Sequence, residues 1–343
     1  MNRNQVKKSL EDTHIAIISG NSLGLENDSL VLQSALEKAY PNLESNLILG
    51  KESLLKKSIS ILKLILKRFY GKELVFIHME EVQSKLVWAA QKNYLIPNQD
   101  WFRSHTEKAT LNNDKIILLC KTLDAIRAFS DIKDRTHYLG FTSLDRHQSN
   151  VEKSFDKYLH LAGKSEKKGT LSVINAWKKH PEWPTLTLQT TVPSYIESAQ
   201  GVPNIHLITT NQSGQELLKL MNSHGIHLCV SEMEGFGHYI VEALSTGAIV
   251  VSTDGAPMNE LVTPSSGYLV NCVETEQQYR ARGFTINEPE FEKVIHSIID
   301  MTYDGLLTMS AQSRQRYLEI TSNFEGNVQD YFAKNVLPHS TRK

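Results

Sequence analysis

The sequence predicts an α/β protein built from two Rossmann-like, doubly wound parallel-sheet domains that face a cleft. Three observations lead to this prediction. The chain has 343 residues, enough for two domains of about 150 residues each. Short apolar runs alternate with helical segments, as in parallel sheets that are covered on both faces. A polar, charged segment at residues 142–155 interrupts this alternation, which then starts again.

Composition and charge are those of an ordinary globular protein. The chain is 40% hydrophobic and 22% charged, with a formal net charge of −1. We expect no transmembrane helix, and the segment from Met1 to His14 lacks the apolar core of a signal peptide. Cys120, Cys229 and Cys272 are far apart in sequence, which favours free thiols in a reducing compartment. Together these features predict a cytoplasmic protein.

The first domain is predicted over residues 1–150 and opens with a strand, a glycine loop and a helix. The strand spans Ile15–Ser19 and the turn-rich segment GNSLGLEND follows. Asn27 or Asp28 then caps a helix that runs to Tyr40. Such a unit is typical of the start of a nucleotide-binding α/β domain. Further strands are predicted at Leu74–Ile77, Lys115–Cys120 and Thr136–Phe141, and further helices at Val82–Gln91 and Thr122–Phe129.

The second domain is predicted over residues 151–325, followed at 326–343 by a C-terminal helix that crosses back to the first domain. Its strands are predicted at Tyr158–Ala162, Leu186–Thr191, Ile205–Thr209, Ile226–Val230 and Ile249–Thr253. Its helices are predicted at Thr170–His180, Gln215–Ser223 and Gly237–Thr246, and the tail is predicted to be helical from about Glu290.

The stretch VSEMEGFGHYIVEALSTGAIVV, residues 230–251, carries the most chemical information. A buried strand is followed by a loop with two glycines and two acids, and a helix begins near Gly237. Glycine at a helix N-terminus lets a ligand approach the amides, which together with the helix dipole favour a phosphate. Glu234 and Glu242 would repel a phosphate, so we expect each to accept hydrogen bonds from sugar hydroxyls. A nucleotide sugar has such hydroxyls on both sides of its diphosphate.

These residues resemble the donor site of retaining GT-B glycosyltransferases of group 1, the family of glycogen- and sucrose-phosphate-synthase-like enzymes. The resemblance rests on EGFG, EAL, TGAIVVSTDGAP and NELV, and it extends over residues 225–270. It implies a GT-B fold and a nucleotide-diphosphate sugar as donor, with UDP favoured and GDP as the alternative. It also implies that Glu234 contacts the transferred sugar and that Glu242 binds the ribose. Gly235 and the amides of Phe236 and Gly237 would then lie at the sugar or the diphosphate.

The segment HLAGKSEKKGT, residues 160–170, resembles the loop with which the family neutralises the leaving diphosphate. Lys164 and Lys168 are the natural carriers of that charge, and Lys168 precedes a second helix start. The usual Arg is Lys here and the spacing is one residue shorter, so Lys167 is an alternative to Lys164. A solvated lysine-rich turn is the structural alternative.

The first domain resembles the family less closely. The loop GNSLG lies where the family has a glycine loop, so Gly20 and Asn21 are expected near the diphosphate. His78 follows a strand end, where the family often has a sugar-contacting histidine, and we expect it to be catalytic; a structural histidine is the alternative. Asn98 and Trp101 are candidates for the walls of an acceptor cleft.

The resemblance implies that the reaction retains the anomeric configuration. No Asp or Glu is placed as a covalent nucleophile, so we expect a front-face substitution that depends on Glu234, Lys168 and His78. Lysines and helix termini would take the place of a metal ion. Glu80–Glu81 and the pair His224 and His227 are the nearest metal candidates, and we expect both to be structural.

A basic segment of the first domain bears on the acceptor. The segment Lys51–Lys72 contains seven Lys or Arg and one acid, Glu52. Its apolar residues fall on one helical face: Leu54, Leu55, Ile59, Leu62, Ile65, Leu66 and Phe69. Three alternatives are compatible with this helix. It could simply have a solvated basic face, or it could contact anionic lipid beside a lipid-linked glycan acceptor. It could also bind DNA that carries a hydroxymethylated base, as in viral DNA glycosylation. The last two alternatives would put the protein at a membrane surface or on DNA.

A different class of function is also compatible with the sequence. The chain could be a sugar-nucleotide-binding protein without catalytic activity, or a sugar-nucleotide epimerase on the same fold. The acid pair and Lys168 favour a transferase over the non-catalytic alternative.

Overall fold

The computed structural model describes residues 12–336, which form two compact units. Unit 1 contains the described residues up to Ser143 and those from Thr321 onward, and unit 2 contains Leu144–Ile320. Each unit has one six-stranded sheet, and every pair of neighbouring strands in these two sheets is parallel. The predicted α/β class with two doubly wound parallel sheets is therefore confirmed.

The sheet of unit 1 has the order β2-β1-β3-β4-β5-β6. Its strands are β1 (Thr13–Ile18), β2 (Glu44–Ile48), β3 (Glu73–Met79), β4 (Lys92–Ile96), β5 (Ile116–Cys120) and β6 (Thr136–Tyr138). Its helices are α1 (Leu23–Ala39), α2 (Leu54–Phe69), α3 (Ser104–Leu111) and α4 (Leu123–Ala128). The chain adds β2 on one side of β1 and all later strands on the other, so the winding reverses between β1 and β3.

Two predictions for unit 1 are wrong. Helix α1 begins at Leu23, because the hydroxyl of Ser22 accepts the Leu25 amide at 3.2 Å and caps the helix. Asn27 and Asp28 therefore lie inside the helix and do not cap it. The predicted helix at Val82–Gln91 is reduced to a 3₁₀ turn at 87–89, because β4 follows at once.

The sheet of unit 2 has the order β12-β11-β10-β7-β8-β9. Its strands are β7 (Ser154–Gly163), β8 (Leu186–Thr190), β9 (Ile205–Ile208), β10 (His224–Cys229), β11 (Ile249–Thr253) and β12 (Gly267–Val270). A hairpin of β13 (Cys272–Gln278) and β14 (Ala281–Ile286) follows. The helices are α5 (Thr170–Lys179), α6 (Pro193–Ala199), α7 (Gly214–Ser223), α8 (His238–Ser245) and α9 (Glu288–Ile299). Here the winding reverses between β7 and β10, and open α/β sheets bind ligands at such a reversal.

The last described helix, α10 (Tyr303–Asn335), runs from unit 2 into unit 1. Within unit 1 its Phe324 packs on Phe141 with ring centroids 4.9 Å apart, and Asn327 donates to the Leu139 carbonyl at 3.0 Å. Residues 337–343 of the predicted C-terminal helix lie outside the described residues. No helix between residues 12 and 336 is long and apolar enough to span a membrane. The three cysteines are unpaired.

Candidate donor site

The loops that follow β7 and β10 meet where the sheet of unit 2 reverses its winding. The Glu232 amide donates to the Lys167 carbonyl at 2.9 Å. Gly169 has a φ of 66° and lies against Val230, where a Cβ atom would be 2.2 Å from the Val230 carbonyl oxygen. Only glycine fits this left-handed position. The two segments that the sequence predicted for the donor site are therefore held together by backbone contacts.

Glu234 and Lys168 are in direct contact at this position. The Lys168 ammonium donates to Oε1 of Glu234, and the Ser231 hydroxyl donates to the same oxygen at 2.6 Å. Both side chains are partly exposed, Glu234 by 14% and Lys168 by 19%. Among the described residues, the second carboxylate oxygen of Glu234 has no hydrogen-bond partner. A charged, oriented carboxylate thus has one oxygen available for a ligand.

Tyr239 contacts Lys168 through its ring and Ser231 through its hydroxyl. The Lys168 ammonium lies 3.7 Å from the centroid of the Tyr239 ring, a cation–π contact. Burial raises the pKa of the Tyr239 phenol well above its ordinary value, so the phenol stays protonated. Because the Ser231 proton points to Glu234, the phenol donates to Ser231, at 2.6 Å. A chain of hydrogen bonds therefore orients the carboxylate.

Helix α8 begins directly after the glycine loop. Gly237 has a φ of 111°, and a Cβ atom there would lie 2.8 Å from a methyl group of Leu261. No side chain caps this helix start and no acid occupies its first turn. Gly235 and Phe236 are buried beside it. The arrangement leaves the positive end of the helix dipole without a negative group from its own side chains.

Glu242, on the second turn of α8, is held by a residue that the sequence analysis did not single out. Nε and Nη2 of Arg146 donate to Oε1 of Glu242 at 3.0 and 2.7 Å. The Arg146 amide donates to the Ser245 hydroxyl at 3.0 Å, and its carbonyl accepts from Asn222 at 2.7 Å. Within the described part of the chain, the other oxygen of Glu242 has no partner. Both predicted acids thus have one fixed and one available oxygen.

Residues 192–294 match a protein-family model described as glycosyl transferases group 1. The chain carries a group 1 glycosyltransferase domain. This match includes Glu234 and Glu242 and confirms the family that the sequence motifs indicated. A search of curated protein sequences finds no match.

Solved structures of glycosyltransferases share the fold of this transferase. A glycosyltransferase from Rickettsia africae has a TM-score of 0.66 at 12% identity, over 94% of this chain and 98% of its own. HepE of Anabaena, solved with UDP and glucose, has a TM-score of 0.64 at 13% identity, over 94% and 99%. Sucrose-phosphate synthase from Thermosynechococcus elongatus has a TM-score of 0.65 at 11% identity, over 94% and 98%. The predicted GT-B fold is confirmed.

Lys164 and Lys167, the two other lysines predicted for the diphosphate, have different contacts from Lys168. Lys164 is exposed and makes no ion pair with any residue between 12 and 336. Lys167 is exposed and lies 3.8 Å from Glu232. Of the three lysines, Lys168 is the one that contacts a predicted donor-site acid.

Unit 1 of the transferase has a cavity of about 810 Å³ where its own sheet reverses its winding. Gly20 and Asn21 line it, as do Glu80 and Trp101. Glu80 has a φ of 65° and accepts from the Asn98 amide at 2.8 Å. Burial raises the pKa of Glu80 above its ordinary value. Gly20 and Asn21 of the predicted glycine loop therefore share one cavity with Trp101, and Asn98 contacts its wall through Glu80.

His78 does not line this cavity. It is fully buried, and its two ring nitrogens contact Asn93 and the Gln83 amide, each at 3.3 Å. Burial lowers its pKa to about 4. In this structure His78 supports the end of β3 and is closed off from a substrate, contrary to the contact expected of a catalytic residue.

The sequence-based metal candidates have other contacts. Glu81 lies 3.5 Å from both Arg103 and His105. His224 contacts the Thr187 hydroxyl at 2.8 Å, and His227 contacts the Met221 carbonyl at 3.0 Å. Between residues 12 and 336, no three His, Cys, Asp or Glu side chains group as metal ligands would.

Proposed function

We propose that the protein transfers a sugar from a UDP-sugar to an acceptor hydroxyl with retention of the anomeric configuration. The observation that carries this proposal is the contact of Glu234 with Lys168 at the reversal point of the sheet, beside the uncapped N-terminus of α8. The resemblance of the motif to retaining group 1 enzymes supports retention. The UDP-glucose complex of HepE, a protein of the same fold, supports UDP as the nucleotide.

The two acids have separate roles in this proposal. The available oxygen of Glu234 accepts hydrogen bonds from hydroxyls of the transferred sugar, and that of Glu242 accepts them from the ribose. Lys168 and the amides of Phe236 and Gly237 stabilise the negative charge that develops on the leaving diphosphate. The diphosphate departs as the acceptor hydroxyl enters on the same face, and a leaving phosphate oxygen takes the acceptor proton. The domain needs no metal ion in this scheme, because a lysine and a helix terminus supply the positive charge.

The cavity of unit 1 is the proposed acceptor site. Carboxylates of Glu80 and Glu81 beside the indole of Trp101 suit a polyhydroxylated group, since carboxylates accept from hydroxyls and an indole offers a flat apolar face. We therefore propose a glycan or lipid-linked sugar as acceptor.

Replacement of Glu234 tests the proposed function. Glu234→Gln keeps the shape but removes the charge that pairs with Lys168, and we expect turnover to fall at least about a hundredfold. Glu232→Gln, in the same loop, is the matched control and should keep near wild-type turnover. Melting curves with and without UDP check that both variants fold and bind nucleotide. Assays in excess EDTA should show unchanged rates.

Several outcomes would contradict the proposal. Near wild-type transfer by Glu234→Gln would remove the site assignment, and loss of activity in EDTA that magnesium restores would remove the metal-free scheme. Donor binding without transfer to any glycan acceptor would favour a binding protein. Isomerisation of the donor in the absence of an acceptor would favour an epimerase, and transfer to hydroxymethylated DNA would replace the proposed acceptor class.

A further inference from the structure

Helix α2 has an apolar face toward the core and a second apolar face toward solvent. Leu64 is 3% exposed and packs in the core of unit 1 with Ile61 and Ile65. The opposite face carries a row of large apolar side chains that we call the apolar stripe; their exposed fractions run from 46% to 81%. The apolar stripe consists of Leu55, Ile59, Leu62, Leu66 and Phe69. The side chain of Leu54, also assigned to an apolar face by sequence, lies outside the described part of the structure.

The spacing of the apolar stripe is regular. At 3.6 residues per turn its five members fall within an arc of about 80° that is centred opposite Leu64. A surface helix normally has one apolar stripe, which faces the core, and exposed apolar residues are normally scattered singly. One exposed aromatic residue follows the stripe at the helix end, Tyr70 at 86%.

Cations border the apolar stripe on one side. Lys56, Lys63 and Lys67 lie along one flank, about 80–120° from its first residue around the helix axis. Three acids pair with cations of the segment Lys51–Lys72: Glu26, Glu44 and Glu52. The segment has seven cations in all, so it keeps a positive charge after pairing. Lys63 is exposed and has no ion pair with a described residue.

We propose that α2 docks on a bilayer that contains anionic lipid, with the apolar stripe buried among the acyl chains near the headgroups. An apolar face bordered by lysines and aromatic residues matches the chemistry of that interface. The helix is too short and too charged to span a membrane, so it lies in the membrane plane. Bound DNA would neutralise the lysines but leave the apolar stripe in water. A second copy of the chain would cover the stripe, but its own α2 carries the same lysines and offers them no anionic partner.

The inner side of α2 connects this surface to the cavity of unit 1. Lys57 and Ile61 line the cavity, and the apolar stripe faces away from the core on the same helix. A docked bilayer would thus lie about one helix diameter, ~10 Å, from the cavity wall. A sugar linked to a membrane lipid could reach the cavity while the lipid stays in the bilayer. The docking itself does not depend on the proposed transfer reaction.

Vesicle binding by the full chain tests the proposal. We expect sedimentation with vesicles of equal parts phosphatidylcholine and phosphatidylglycerol, and much weaker binding to phosphatidylcholine alone. The double variant Leu62→Gln/Leu66→Gln should bind the anionic vesicles at least about tenfold more weakly, because two apolar side chains no longer enter the lipid. The matched control is Leu307→Gln/Leu318→Gln, which changes two leucines of α10 that are 45% and 44% exposed. It should bind like the wild type.

Four results would overturn the proposal. The first is that the wild type binds neither vesicle, and the second is that the stripe variant binds anionic vesicles as well as the wild type does. The third is retention on duplex DNA that is stronger than on anionic vesicles and unaffected by the stripe variant, which would indicate a nucleic-acid surface. The fourth is a dimer of the lipid-free wild type in light scattering that the stripe variant loses, which would identify a second copy as the occupant. None of these results depends on sugar transfer, so each leaves the proposed function standing.

Discussion

At the residue scale, Glu234 and Glu242 share a feature that their sequence spacing does not reveal. Each has Oε1 fixed by a cation, Lys168 for Glu234 and Arg146 for Glu242, while the other oxygen has no partner among the described residues. A carboxylate held in this way has lost part of its side-chain entropy before a ligand arrives. We infer that Arg146 is a positioning residue for the nucleotide.

Replacement of Arg146 tests this role. Ordering one side chain costs about 0.5–1.5 kcal/mol, so Arg146→Gln should weaken UDP binding by up to about tenfold. The effect should appear mainly in Kd and in the donor KM, with a small change in kcat. Arg146→Lys should restore part of the affinity, because it retains one charged donor. Calorimetric titration with UDP measures the change.

His147→Ala is the matched control, because His147 is the exposed next residue of the same segment. A purely structural role for Arg146 would predict a lower melting temperature with unchanged affinity of the folded fraction. That result would contradict the positioning role.

What the sequence could predict at this scale depends on whether a residue belongs to a local pattern. Glu234 and Glu242 lie in one continuous motif, and Lys168 precedes a glycine and a helix start. Arg146 and Tyr239 act through contacts that form only when the chain has folded, and one charged residue in a polar linker gives no signal of its own. His78 shows the opposite case. Its position after the end of a predicted strand suggests an exposed side chain, but the side chain is fully buried.

At the element scale, the sequence predicted most of the buried strands but missed the buried strand β4, as well as β2, β12, β13 and β14. The central strand β3 contains the continuous apolar run LVFI and was found. The edge strand β2 reads ESNLI and is exposed along much of its length, so its pattern is weak. In the segment predicted as a helix at 82–91, Leu86, Ala89 and Ala90 pack on the core of unit 1 as one face of a helix would. Their spacing therefore suggested more helix than the single 3₁₀ turn that forms.

The loop between β7 and α5 provides a prediction at this scale. Gly169→Ala should lower the free energy of unfolding by at least about 3 kcal/mol, because the left-handed backbone disfavours a side chain and the Cβ atom would overlap the Val230 carbonyl. Gly201→Ala separates the two causes. Gly201 has a φ of 78°, but a Cβ atom there would meet nothing within 4 Å, so only the backbone cost of about 1 kcal/mol should appear.

Urea unfolding of both variants, followed by tryptophan fluorescence, gives the comparison. Gly169→Ala should also reduce UDP binding, since it displaces the loop that carries Lys168 from the loop that carries Glu234. Equal destabilisation by the two substitutions would show that the close approach to Val230 does not hold these loops together.

At the scale of the whole molecule, the alternation of strands and helices was enough to predict two parallel sheets, but not their strand order. The order matters because each sheet reverses its winding once, between β1 and β3 in unit 1 and between β7 and β10 in unit 2. The cavity of unit 1 and the Glu234–Lys168 contact of unit 2 lie at these reversals. Strand order depends on long-range pairing, which a local pattern in one sequence does not encode.

Buried histidines make the stability of the molecule depend on pH. Burial lowers the pKa of His78 and His160 to about 4 and that of His227 to about 3. In the unfolded chain each would have a pKa of about 6.5. Below that pH the unfolded chain takes up protons that the folded state does not accept, so stability is fully present above pH ~6.5 and is lost as the pH falls toward ~4. The slope is at most about 1.4 kcal/mol per pH unit for each histidine.

We therefore expect the free energy of unfolding to fall by several kcal/mol between pH ~7 and pH ~5, above the range in which ordinary carboxylates titrate. His160 is the best single test, because its two ring nitrogens form hydrogen bonds with the Leu228 carbonyl at 2.7 Å and the Thr170 hydroxyl at 3.0 Å. His160→Gln should be less stable than the wild type near neutral pH but should lose about 2 kcal/mol less on acidification. His206→Gln, at an exposed histidine, should follow the wild-type curve. If His160→Gln lost as much stability as the wild type between the two pH values, the neutral buried ring would not be a source of the acid sensitivity.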